Sequence, residues 1–186
     1  YDDWKKAGVK NFGTYEYLYQ LGSNRIAPAC YPHEIARRLR AWRNDYGMKT
    51  FWEESFAASS VFDGGRQYVI DELLWNLDAD VDELMDDYCR SLYGPAARAM
   101  RRFFDVAEEA FLDNPERRTF FTEFSNPIQF NGYTFARIAA MDEALAEAAR
   151  VAPRDSRESR RIELVTRMWG LARLFADNWT CARTLK

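Results

Sequence analysis

Two periodicities divide the chain. Between Gly13 and Tyr19, Tyr15, Tyr17 and Tyr19 alternate with Thr14, Glu16 and Leu18, and a period of two with aromatic enrichment predicts a strand. Tyr1 to Lys10 ahead of it reads as a short helical or irregular lead-in. After a loop from Gln20 to Tyr31, marked by Gly22, Asn24 and Pro28, the apolar positions Ile35, Leu39, Trp42 and Tyr46 recur at helical spacing. Pro32 suits the first turn of that helix and Gly47 its C-cap. Met48 to Glu53 has no helical period and is rich in aromatics, which predicts a short buried strand. A loop through Gly64 and Gly65 then leads into a helix from about Arg66 to Trp75, with Val69, Ile70, Leu73 and Leu74 on one face. The order is β-α-β-α, whose natural home is a parallel sheet covered by helices.

From about Asp80 the pattern is helical throughout. Asp80 with Glu83 marks a capped start, and Val81, Leu84, Met85, Tyr88 and Leu92 form a stripe. Gly94-Pro95 stops one helix and starts the next, which carries Met100, Phe103, Phe104, Ala107 and Phe111 up to Asp113-Asn114-Pro115. Glu116 to Tyr133 is irregular. Two more helices follow, Thr134 to about Val151 and Asp155 to about Leu185, the second started by an Asp155/Glu158 capping pair and striped with Ile162, Val165, Trp169, Ala172, Ala176 and Trp179. The chain therefore divides into a β/α region, 1–78, and a helical bundle, 79–186. Two parallel strands cannot bury both their faces and edges alone, so the sheet is expected to be completed by residues upstream of Tyr1.

Composition narrows the partners. A 47% hydrophobic fraction with 16% aromatics excludes a disordered chain, and 26 basic against 29 acidic residues, mixed along the sequence, leave no field for a polyanion. Nucleic acid is not an expected partner; Arg37, Arg38, Arg40 and Arg43 have the spacing of a solvated helix face. No apolar run approaches the ~18 residues of a membrane span, and no membrane partner is expected. The chain starts at Tyr1 rather than methionine, so its compartment cannot be read. Cys30, Cys89 and Cys181 lack metal-ligand spacing and His33 is the only histidine, which argues against zinc, and no cofactor is expected. His33, just after a proline, reads as a helix-start residue. No phosphate loop, nucleophile elbow or His-Glu-x-x-His motif occurs.

In parallel β/α architectures ligands gather at the carboxyl ends of strands. The candidates there are Tyr17 and Tyr19 on the first strand and Trp52, Glu53 and Glu54 on the second. An aromatic ring beside a carboxylate suits a sugar, whose apolar face packs on the ring while its hydroxyls donate to the carboxylate. Neighbouring strand residues point opposite ways, so only one of Glu53 and Glu54 is expected to face the site. The competing reading makes these aromatics core and both glutamates loop residues. Adjacent carboxylates do not match the acid and nucleophile or base of a glycosidase, which come from different strands, so catalysis needs a partner elsewhere.

Tyr15-Glu16-Tyr17, Ala27-Pro28, Pro32, Gly47 before Phe51-Trp52-Glu53-Glu54, Tyr68-Val69-Ile70, Leu73-Leu74-Trp75-Asn76 and Tyr93-Gly94-Pro95-Ala96-Ala97 together resemble the C-terminal part of a bacterial domain-of-unknown-function family with glycoside-hydrolase-like barrels. One branch of it is associated with endo-β-N-acetylglucosaminidase activity. The resemblance covers about residues 1 to 112 and implies a mainly α chain: the last β-α-β-α portion of a (β/α)8-type barrel followed by a helical C-terminal bundle. It further implies a glycan substrate, a wall built from Tyr17 and Trp52 with Glu53 or Glu54 as hydroxyl acceptor, a catalytic acid on an earlier strand outside this chain, and an extracellular or periplasmic location. The alternative is a non-catalytic helical module that docks a protein through the aromatic stretch Phe120 to Tyr133.

Overall fold

The two strands lie side by side because a capped helix carries the chain back between them. The computed structural model describes residues 1–16, 26–28, 30–53, 61–116 and 126–185. A short helix α1 (Asp2–Lys6), acidic at its start and basic at its end as the helix dipole favours, precedes β1 (Gly13–Glu16). Helix α2 (Pro32–Tyr46) follows, then β2 (Thr50–Glu53) and α3 (Gly64–Trp75). Gly47 ends α2 in the left-handed region at φ 63°, its N–H returning to the Arg43 carbonyl and that of Met48 to Trp42. β1 and β2 pair in parallel with Gly13 opposite Thr50, Thr14 opposite Phe51, Tyr15 opposite Trp52 and Glu16 opposite Glu53. Residues 17–19, predicted as the rest of the first strand, lie outside the described residues.

Helix α3 ends at Trp75 as expected but differs at its start and in the face it buries. It starts at Gly64, two residues before Arg66, because its first turn packs on a tyrosine of the next helix: a Cβ on Gly64 would stand 2.5 Å from the Tyr88 hydroxyl. The glycines serve close packing rather than a loop. At the other end Leu74 is exposed, while Val69, Ile70 and Leu73 are buried.

The bundle consists of α4 (Val81–Tyr93), α5 (Ala97–Leu112), α6 (Phe135–Val151) and α7 (Arg157–Thr184). Asp80 caps α4 by accepting the Glu83 N–H at 3.0 Å, and Thr134 caps α6 through Arg137. The predicted α4 stripe is turned slightly: Val81, Met85, Cys89 and Tyr93 are buried, with Leu84, Tyr88 and Leu92 at its edge. Helix α7 is capped by Ser156, which accepts the Ser159 N–H at 3.0 Å, rather than by Asp155. Asp155 has φ 57°, whereas an N-cap needs extended backbone.

One core runs through both regions. Phe103 of the bundle meets Phe104, Trp169 and, at the entrance to α3, Phe62, and the buried cluster continues into Ile35 and Leu39 of α2 and Val69 and Ile70 of α3. Trp169 satisfies its indole N–H on Asp142 at 2.7 Å. Among the described residues no helix is long and apolar enough to cross a membrane.

Candidate functional site

The parallel pairing sorts the strand residues onto two faces. Phe51 turns toward the helices, its ring 6.0 Å from that of Trp42 on α2, and Thr14 beside it is buried. Tyr15 and Trp52 therefore occupy the opposite face. They are register partners with rings edge to face at 5.8 Å, and both are open, Trp52 at 70% and Tyr15 at 47%. Against so apolar an interior, an uncovered tryptophan beside an uncovered tyrosine is a ready surface for a sugar ring or another apolar face.

Glu53 projects from the other face. Its carboxylate lies in the surroundings of Gln67, Arg66 and Asp71 on α3. Burial raises its pKa, opposed by Gln67 hydrogen bonding and by the Arg66 charge. Neither carboxylate oxygen has a partner at full hydrogen-bond geometry, and both are shielded from solvent. Glu16, its neighbour across the ladder, accepts a hydrogen bond from Thr14 Oγ1 at 3.3 Å. Of the five sequence candidates, Trp52 stands on the open face and Glu53 on the helix side. Tyr17, Tyr19 and Glu54 lie outside the described residues.

Where the chain enters α3, a buried charge pair backs this strand end. Asp63 and Arg66 are both 1% exposed, with Arg66 Nη2 3.5 Å from Asp63 Oδ1. Burial lifts the Asp63 pKa and the Arg66 charge pulls it down. Arg66 Nη1 also donates to the Tyr31 hydroxyl at 3.1 Å, and the guanidinium lies 5.3 Å from that ring's centre. Tyr31 in turn stacks on Phe111 of α5 at 4.0 Å.

The bundle holds the segment that leads into α2. Gln129 Oε1 accepts the N–H groups of both Ile26 and Ala27, at 2.9 and 3.0 Å, while its Nε2 donates to the Asn126 carbonyl. The Tyr133 hydroxyl donates to the Pro28 carbonyl at 3.2 Å. Phe130 and Tyr133, the described aromatics of the stretch proposed to dock a partner, are buried in the core; Phe120, Phe121 and Phe124 lie outside the described residues. The thiols of Cys30 and Cys89 are buried, and burial pushes the first well up and the second to about 12. Neither is a thiolate nucleophile at neutral pH. Among the described residues no cluster of His, Cys, Asp and Glu suits a metal ion.

Tyr15 and Arg66 escaped the sequence reading. The signal for Tyr15 was present: Thr14-Tyr15-Glu16 and Phe51-Trp52-Glu53 both end in an aromatic-glutamate pair, and the parallel register sets the two pairs side by side. Arg66 carried no such mark, because its burial beside Tyr31, 35 residues away in the chain, is a tertiary fact.

These features define a class: a parallel β-α-β-α unit with an open aromatic pair, sharing its core with a mainly helical bundle. The chain belongs to the family described as Domain of unknown function (DUF4838), whose sequence profile matches residues 1–105. That span holds the β-α-β-α unit, α4 and the first half of α5. No curated protein and no solved structure matches the chain.

Proposed function

We propose that this chain supplies one wall of a carbohydrate-binding cleft in a glycoside-hydrolase-like protein. In this reading β1 and β2 are the last strands of a (β/α)8-type barrel completed by upstream residues of the same polypeptide, which also carry the catalytic acid for glycosidic-bond hydrolysis. The observation that carries it is the Tyr15–Trp52 pair, open on the face turned away from the helices. In a barrel the helices pack outside, so that face is the interior. Trp52 stacks on a sugar ring, and the roles of further sugar contacts fall to Tyr17 and Tyr19. Glu53 faces α3, so the part of hydroxyl acceptor falls to Glu54, with Glu53 setting the field behind it. The expected substrate is an N-acetylglucosamine-containing glycan.

The test is binding of an N-acetylglucosamine oligosaccharide to the complete polypeptide by titration calorimetry. Trp52→Ala should weaken it about tenfold or more, the equivalent of about 1.4 kcal/mol. Unchanged affinity in both Trp52→Ala and Tyr15→Ala would remove the aromatic wall and this assignment with it.

A further inference from the structure

The only histidine of the chain sits at a junction. His33 lies in the first turn of α2, yet its partners belong to the bundle. Glu108 of α5 accepts both the His33 backbone N–H at 2.8 Å and a contact from ring Nδ1 at 2.7 Å. Ring Nε2 stands 3.5 Å from Asp82 at the start of α4. Two carboxylates from two helices thus approach the two nitrogens of one imidazole. A neutral imidazole has a single N–H and serves one of them; a protonated ring donates from both nitrogens and carries the matching charge.

We propose that His33 is a protonation-dependent latch between the β-α-β-α unit and the helical bundle, closed on Glu108 and Asp82 when charged and released from one of them when neutral. The surrounding charges set its balance. Arg101 of α5 opposes the cation but is itself held by Asp82, Asp86 and Asp105. Glu34, next along α2, is occupied by Arg37 and Arg38. The buried Cys30 thiol feels the charges of Glu108, Arg66 and Asp63. The hydrogen bond to Glu108 raises the His33 pKa, burial lowers it, and the charges of Glu108 and Asp82 raise it further, against Arg101. A folded-state pKa above the unfolded one means that the latch contributes fully below the unfolded value and is lost as pH rises through the folded one. The segment it anchors, together with the contacts from Gln129 and Tyr133, is the approach to α2 from the carboxyl end of β1. Acid conditions therefore tighten this joint. The inference does not depend on a sugar ligand.

The His33 imidazole signal is identified by its loss in His33→Asn, and its titration can then be followed by NMR in the wild type. The midpoint in the folded protein should lie above the ordinary ~6.5. Denaturant unfolding from about pH 6 to about pH 8.5 should show the folding constant falling more steeply in the wild type than in His33→Asn, which keeps a donor near Nδ1 but cannot titrate. Each unit by which the midpoint exceeds the unfolded value corresponds to about a tenfold loss across that window. Asp82→Asn, an exposed and mild change, should lower the midpoint. A midpoint at or below the ordinary value, parallel unfolding profiles, or a midpoint that ignores Asp82→Asn would each overturn the latch.

Discussion

The bundle and the β-α-β-α unit leave different kinds of apolar residue open to solvent. Phe103, Phe104, Met100, Met141 and Trp169 are enclosed on α5, α6 and α7. In the unit, by contrast, Trp4, Tyr15, Trp52 and Trp75 stand open, Trp75 at 92%. A cavity of about 540 Å³ also opens beside the strands at the carboxyl-terminal halves of α2 and α3, lined by Leu39, Trp42, Phe51, Leu73 and Trp75. The bundle encloses its aromatic core and exposes mainly scattered aliphatic side chains, Leu164, Leu171 and Leu174 of α7 among them, whereas the unit leaves tryptophans and a two-stranded sheet for something further to cover. The contrast teaches where stability and recognition reside: substitutions in the bundle should change folding, and those on the open strand face should change what the protein binds.

The contrast breaks first if the bundle tolerates a hole. Phe103 is fully buried and its ring meets Phe62, Phe104 and Trp169. Phe103→Ala should cost about 3–5 kcal/mol in denaturant unfolding; a loss below about 1 kcal/mol would mean that the core is loose there.

The joint between the regions comes next. Gln129→Ala removes the acceptor of two buried backbone N–H groups, at Ile26 and Ala27. With each unsatisfied donor costing about 1–3 kcal/mol before solvent enters, a net loss of about 2 kcal/mol is expected. Faster amide exchange at those two residues should accompany it. Equal protection in both proteins would show that the bundle does not hold this segment.

A smaller effect tests the surface of α2. Glu34 receives Arg37 at 2.7 and 2.8 Å and Arg38 at 2.9 Å, and the Arg37 hydrogen bonds are the chief reason its pKa falls to about 2. A lowered folded-state pKa contributes stability above the unfolded value, lost as pH drops toward about 2. Arg37 is largely in water, so the contribution is below about 1 kcal/mol. Glu34→Gln should flatten the acid limb of the stability profile between those two pH values; an unchanged limb would assign acid sensitivity to other carboxylates.

Legibility followed the range of the determining contacts. Helices α2 and α4 to α6 could be read because their spacing, caps and breakers are local: Pro32 and Gly47, Asp80 with Glu83, Thr134. The start of α7 was missed by one residue because Asp155 and Ser156 are equally good cap types, and only the backbone at Asp155 excludes it. Alternation located the first strand and predicted opposite faces for Glu53 and Glu54; the aromatic run without helical period located the second, but its expected burial is not found, since Thr50 and Trp52 are exposed. Which face looks toward the helices depends on Phe51 meeting Trp42, a tertiary fact. His33 looked like an ordinary helix-start residue because its two carboxylates arrive from α4 and α5.

The smallest expected change in stability sharpens the comparison most. Trp52 is 70% exposed and its one described ring contact is the edge of Tyr15. Surface substitutions away from caps and networks usually stay within about 0.5 kcal/mol, so Trp52→Ala should leave the unfolding midpoint nearly unchanged. A large exposed aromatic that adds nothing to folding is free to make contact with something else. If Trp52→Ala instead destabilised the protein by about 2 kcal/mol or more, comparable to a core residue, the tryptophan would be packed inside the folded protein and not available to a ligand. The strand face would then be interior wall, and the binding surface would have to be sought beyond it.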